Sequence, residues 1–239
     1  MSARERVAEI LASVRSQGRR VLLEHEAKQL LVAWGIPTTK IKLALDADDA
    51  VRAARALKYP VVMKIASPDI VSKTEVMGVK VGLSSEVEVR NAFEEIMANA
   101  RAFKPDAKIF GITVQEYVPP AQEVVINSFQ DPLYGAVVAF GLGGPWVEVL
   151  KDFSLRLAPL TEQEARKMIS EVKGYPLLEG DGRPPADLSA LTSVIQKAGS
   201  LIHEFPEIAE FDLDPVFVFQ KGKGAIAVGV QIVLKEEGP

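Results

Sequence analysis

Val7, Ile10, Leu11 and Val14 recur at i, i+3, i+4 and i+7, which predicts an amphipathic helix ending near Gly18. A second helix is expected from Glu24 to Trp34, stopped by Gly35 and Pro37. After the short extended piece KIKLAL, a third helix runs from Asp46, as N-cap, to Leu57. Val61 to Ile65 and Val76 to Leu83 read as strands, and Ser85 opens a long helix to about Arg101. The first hundred residues therefore give two layers, helices over a sheet.

The second half is richer in strands: IFGITVQEYV, EVVINSF, GAVVAF, PWVEVLK and SLRLAP, separated by Pro, Asp-Pro or Gly-rich breaks that suggest antiparallel hairpins. Helices follow near Thr161 to Lys173, where Thr161 and Glu164 form a capping-box pattern, and near Asp187 to His203. The loop GYPLLEGDGRPP joins them. DLDPVFVFQ and GAIAVGVQIVL close the chain as two strands across the turn KGKG. Tyr117-Val118-Pro119-Pro120 is the one expected hinge, because two prolines cannot continue a sheet ladder.

Composition narrows the function classes. Of 239 residues, 48% are hydrophobic and 25% charged, with a net charge of −4, so neither nucleic acid nor an anionic membrane is the expected partner. No apolar run is long enough to cross a bilayer, and the mixed N-terminus is not a secretory signal. Cysteine is absent, which excludes disulfides and thiol chemistry and suits a cytoplasmic protein.

Candidate chemistry gathers at four places. Lys64 ends an apolar strand, where a lysine can serve phosphate as a point charge or simply snorkel to solvent. Lys73 sits in a polar loop and reaches a phosphate only if that loop folds back over Lys64. Gln115-Glu116-Tyr117-Val118 ends a strand whose freed backbone groups could pair with an adenine edge, and Glu123 could accept from ribose hydroxyls. Both glutamates read equally as surface residues on an edge strand. Glu210, Asp212 and Asp214 fall at i, i+2 and i+4 of a strand, on one face, where repulsion among three carboxylates favours a cation such as Mg²⁺ shared with phosphates. Gly141 to Gly144, GLGG, lacks the lysine and helix of a P-loop and reads as a tight turn. His25 and His203 have no metal or catalytic context and read as structural.

Taken together, LLEHEAKQLLVAWGIP, YPVVMKIASPDI, KTEVMGV, VQEYVPPAQEV, DPLYGAVVAFGLGGPWVEVLKDFSLRLAPL and FDLDPVFV resemble the ATP-grasp β subunit of ADP-forming acyl-CoA synthetases, such as acetate–CoA ligase. The resemblance implies an α+β ATP-grasp fold of two lobes with nucleotide held between them. Residues 1–20 would form an N-terminal helix, 21–115 the small lobe and 116–239 the large lobe. It implies ATP/ADP and Mg²⁺ as cofactors. The implied partner is an α subunit carrying a CoA-binding domain and a phosphohistidine, in an α2β2-type hetero-oligomer. By match, Lys64 contacts nucleotide phosphates, Glu116, Tyr117 and Val118 hold adenine, and Glu123 binds ribose. Glu210 and Lys73 take the catalytic positions, and Asp214 with Asp212 the metal positions.

Three departures from the family pattern stand out. Ser72 replaces a histidine proposed as a second phosphoryl carrier, in a loop usually close to HKSxxGGV, and Met77 replaces its first glycine. Asp214-Pro215 replaces Asn-Pro, and Gly229-Val230-Gln231 replaces Asp-Ala-Arg. A serine phosphoester is a poorer phosphoryl donor than a phosphoimidazole, so the loop is expected to cover the nucleotide rather than relay phosphate. The same losses motivate an alternative, a degenerate paralogue that binds nucleotide or partner without transfer.

Overall fold

The computed structural model describes residues 1–70, 72–144, 151–180, 182 and 184–236. The chain divides into two compact units, a larger one of Met1–Leu22, Gln29–Thr38 and Pro120–Pro239, and a smaller one of Leu23–Lys28 and Thr39–Pro119.

The smaller unit holds β1 (Ile41–Ala44), α3 (Ala47–Leu57), β2 (Val61–Ala66), β3 (Val79–Leu83), α4 (Glu86–Phe103) and β4 (Gly111–Glu116). Its four strands pair antiparallel in the order β1-β4-β2-β3. Asp46 and Ser85 cap α3 and α4, each accepting from the backbone N–H three residues on, as the sequence predicts. Both helices pack on the sheet and bury Val61, Met63, Ile65, Val89, Ile96, Ile112 and Val114. Strand β3 starts at Val79 rather than Val76. Residues before it curl back, Gly78 N–H donating to Lys73 O and Met77 N–H to Thr74 O, and this turn buries Val76 in the same core. A Cβ on Gly78 would meet Ile65 Cγ2 at 2.8 Å, so only glycine lets the turn lie against β2.

Helix α2 (Glu24–Trp34) contributes its first turn to the smaller unit and its remainder to the larger. The larger unit also contains α1 (Ala3–Ser16), β5 (Gln122–Asp131), β6 (Gly135–Leu142), β7 (Phe153–Leu157), α5 (Glu162–Glu171), α6 (Tyr175–Glu179), α7 (Leu188–Glu204), β8 (Ile208–Val218), β9 (Ala225–Ala227) and β10 (Gln231–Leu234). The strands form an antiparallel sheet, β10-β8-β5-β6-β7, with β9 also on β8. The expected strand PWVEVLK lies mostly outside the described residues.

Register assigns the two faces of this sheet. Val138, Ser128 and Phe211 are cross-strand partners on the face covered by α7, where Val138 packs beside Gly199. The alternate phase puts Leu155, Ala139, Asn127, Asp212 and Gln231 in one row across five strands of the opposite face. Two elements depart from expectation. The loop GYPLLEGDGRPP contains the short helix α6, with proline in its first turn. The last strand breaks at residues 228–230 into β9 and β10, because Val228 and Gly229 both donate to Pro215 O instead of continuing the ladder.

Candidate functional site

In the smaller unit, Lys64, expected at a phosphate site, meets a carboxylate that sequence reasoning did not single out. Glu24 opens α2, and its Oε1 accepts from Lys64 Nζ at 2.8 Å and lies 3.3 Å from Lys28 Nζ. Burial alone would push the Glu24 carboxyl up. Lys64, Lys28 and Lys73 outweigh it and hold the pKa down to about 2. Burial lowers the Lys28 ammonium to about 8, against the pull of Glu24. Burial also lowers Lys73, which feels attraction from Glu24 and repulsion from Lys64. The turn that carries Lys73 lies against β2, with Ile65 N–H donating to Gly78 O at 2.9 Å. Lys64 and Lys28 pair with one carboxylate whose field also reaches Lys73, and the excess positive charge suits a polyanion. Ser72, in the same turn, is exposed.

Glu24 and Lys28 were missed because an i,i+4 glutamate–lysine pair on a helix ordinarily marks a solvated face. Here both side chains are buried.

At the end of β4, Glu116 Oε1 accepts from Lys40 N–H at 2.8 Å. The Glu116 N–H donates to Lys40 O and the Tyr117 N–H to Pro60 O, so these two donors are already used. Val118 makes no backbone hydrogen bond among the described residues.

In the larger unit, Glu210 and Asp212 stand on the same face of β8, as their spacing predicts, each in a cross-strand row. Asn127, another residue not anticipated, donates from Nδ2 to Asp212 Oδ1 at 2.8 Å. Its signal was a lone amide within the apolar EVVINSF strand. Burial raises the carboxyl of Asp212, and repulsion from Glu210 and Asp214 adds to it; burial likewise raises Asp214. Among the described residues, no three acidic or imidazole side chains converge closely enough to hold a metal by themselves. The donor set thus differs from a three-carboxylate cage. A pair of carboxylates whose charged forms are disfavoured fits Mg²⁺, which characteristically takes one or two carboxylates plus phosphate oxygens.

Glu123 is half-buried, and its carbonyl accepts from Gly143 N–H at 2.8 Å. A Cβ on Gly143 would approach Glu123 Cβ to 2.9 Å, so this glycine of GLGG serves a close backbone approach, in keeping with the turn reading. At Gly229, another departure from the family pattern, a Cβ would lie 1.8 Å from the carbonyl oxygen of Asp214.

Two antiparallel α+β units, with a lysine cluster beside β2 in the smaller and paired carboxylates on β8 in the larger, fit a protein of the ATP-grasp class. The chain belongs to the ATP-grasp family: the model of the ATP-grasp domain matches residues 13–234. It is 43% identical over 228 residues to the acetate–CoA ligase [ADP-forming] II subunit beta of Pyrococcus furiosus, covering 95% of this chain and 97% of that one. Two solved structures of the dinucleotide-forming acetyl-coenzyme A synthetase 1 of Ca. Korarchaeum cryptofilum are also similar. One, with coenzyme A, Ca-AMPCP and HgCl⁺, has a TM-score of 0.92 at 46% identity, covering 95% of this chain and 99% of that one. The other, with coenzyme A and Mg-AMPPCP and its phosphohistidine segment pointing towards the nucleotide binding site, has a TM-score of 0.84 at 43% identity, covering 96% and 100%. Among the described residues, no helix is long and apolar enough to cross a membrane.

Proposed function

We propose that this chain is the nucleotide-binding β subunit of an ADP-forming acyl-CoA synthetase, active with an α-type partner. The net reaction is acyl-CoA + ADP + Pi = acid + ATP + CoA. This chain's step moves a phosphoryl group from the partner's phosphohistidine to ADP: the P–N bond breaks, a P–O bond forms to the terminal oxygen of ADP, and the reverse step consumes ATP. The observation that carries this reading is the excess of ammonium over carboxylate charge at the buried Glu24, which pairs with both Lys64 and Lys28.

Lys64 and Lys73 neutralise the phosphates, and Val118 offers its backbone to adenine beside Glu116 and Tyr117. Glu123 accepts from the ribose. Asp212, oriented by Asn127, and Asp214 would hold Mg²⁺, with Glu210 adjacent on the same strand. Bound there, Mg²⁺ would offset phosphate charge. The protein's contribution is positioning and charge neutralisation, with no covalent step on its own side chains. The Mg²⁺-bearing and phosphohistidine-bearing relatives support the cofactor and partner, which would operate in the cytoplasm.

The β7 surface supports the partner assignment. Phe153, Leu155 and Leu157 alternate outward, Leu155 at 52% exposure, while Ser154 and Arg156 turn to Glu171. This inversion of the usual strand pattern leaves an apolar stripe in the same sheet rows as Asp212 and Glu210. An α-type partner delivering a phosphohistidine to those carboxylates would cover it.

One observation favours a second reading, nucleotide binding without transfer: the backbone leaves no room at position 229 for the family's carboxylate. Calorimetric titration with Mg-ADP tests the shared premise, and absence of binding would overturn both. Binding without ATP formation, when phosphorylated partner is supplied, would select the second.

A further inference from the structure

Five residues of the smaller unit close a ring of buried polar contacts. Lys64 Nζ donates to Glu24 Oε1 at 2.8 Å, and Lys28 Nζ lies 3.3 Å from the same oxygen. Lys28 Nζ donates to Gln115 Oε1 at 2.5 Å, Gln115 Nε2 to Thr113 Oγ1 at 3.3 Å, and Thr113 Oγ1 to the Lys64 carbonyl at 3.2 Å. The ring returns to the residue where it began. Lys64 is thereby held at both its ammonium and its backbone. Thr39 gives Lys28 one more acceptor, at 2.5 Å.

Stability alone does not call for such a ring. Burying an ion pair carries a desolvation penalty, and a well-packed apolar replacement is often neutral or stabilising. A fixed lysine is another matter. A free lysine side chain loses rotamer entropy when an anion immobilises it, and one held in place beforehand does not. Lys28, at 1% side-chain exposure, cannot itself reach a ligand, so its effect must pass through Glu24 and Gln115. Lys64 retains some access, with 16% of its side chain exposed.

We infer that Glu24 and Lys28 are positioning residues that fix Lys64 to receive the polyphosphate of a nucleoside di- or triphosphate. The inference rests on the nucleotide reading above. Glu24 accepts one hydrogen bond from the Lys64 ammonium, leaving its remaining N–H donors for phosphate, and Lys28 offsets the charge of Glu24 so that the carboxylate does not retain Lys64 alone.

Calorimetry on the full chain, with Mg-ADP and with adenosine, tests it. Glu24→Gln should weaken ADP binding about tenfold, the loss of one charged hydrogen bond. It should have no further effect in a Lys64→Ala background, and adenosine binding should stay unchanged. Equal losses in both backgrounds, equal losses for ADP and adenosine, or tighter ADP binding would each overturn the positioning role. Should Glu24→Gln fail to fold, the near-isosteric Thr113→Val, which breaks the ring on its far side, carries the same cycle. Failure of the unaltered chain to bind ADP would instead overturn the nucleotide reading itself.

Discussion

Gly229 and Asp214 meet backbone to backbone: a Cβ at position 229 would lie 1.8 Å from the carbonyl oxygen of Asp214, well inside any real contact. The family's aspartate cannot simply be restored here, because β8 at Asp214–Pro215 occupies its place. Gly229→Asp should therefore destabilise the fold by about 3 kcal/mol or more, measured by guanidinium unfolding. An unchanged midpoint would show that the backbone relaxes freely.

The remaining acidic pair carries the metal prediction. Asp214→Ala should abolish the Mg²⁺ dependence of ADP binding. Asn127→Ala, which releases Asp212 Oδ1, should weaken Mg²⁺ by about 10–100-fold, the usual cost of losing a group that orients a metal ligand. Calorimetry with and without Mg²⁺ reads both. An unaltered Mg²⁺ dependence in Asp214→Ala would remove that residue from the site.

Glu24 should leave a mark on acid stability. Its folded pKa of about 2 lies below the ordinary 4.5, so its contribution is full above pH 4.5 and disappears as pH falls towards 2. The loss is on the order of 3 kcal/mol, and Glu24→Gln should flatten the stability profile across that window. Lys28 acts at the other end. With a folded pKa of about 8 against 10.5, the unfolded chain binds more protons between these values, so stability rises across them. Unfolding curves taken across both pH windows check the two signs.

The apolar stripe on β7 predicts an assembly phenotype separate from nucleotide binding. Leu155→Glu should prevent co-elution with an α-type partner in size-exclusion chromatography while leaving Mg-ADP affinity intact. Continued co-elution would place the partner elsewhere.

Much of the fold was legible because local signals agreed with the tertiary outcome. The caps at Asp46, Ser85 and Thr161 and the apolar strands β2, β5 and β6 all fall where residue pattern puts them. What escaped was decided by distant chain. The 228–230 break depends on Pro215, some thirteen positions away in sequence, and the curl before β3 depends on room beside Ile65. The site divides in the same way. Lys64, Glu210 and Asp212 were visible as polar residues in apolar strands, whereas Glu24 and Lys28 look like a surface pair until β2 and β4 bury them. Asn127 acquires meaning only from its register with Asp212.

The fate of a labelled phosphoryl group decides whether transfer proceeds without a carrier at residue 72. The chain, its α-type partner and Mg²⁺ are mixed with γ-labelled ATP, and the products are separated under denaturing conditions. The expected result is acid-labile label on the partner's histidine, none on this chain, and the same labelling rate in Ser72→Ala. Label on this chain, or an unlabelled partner, would contradict the account.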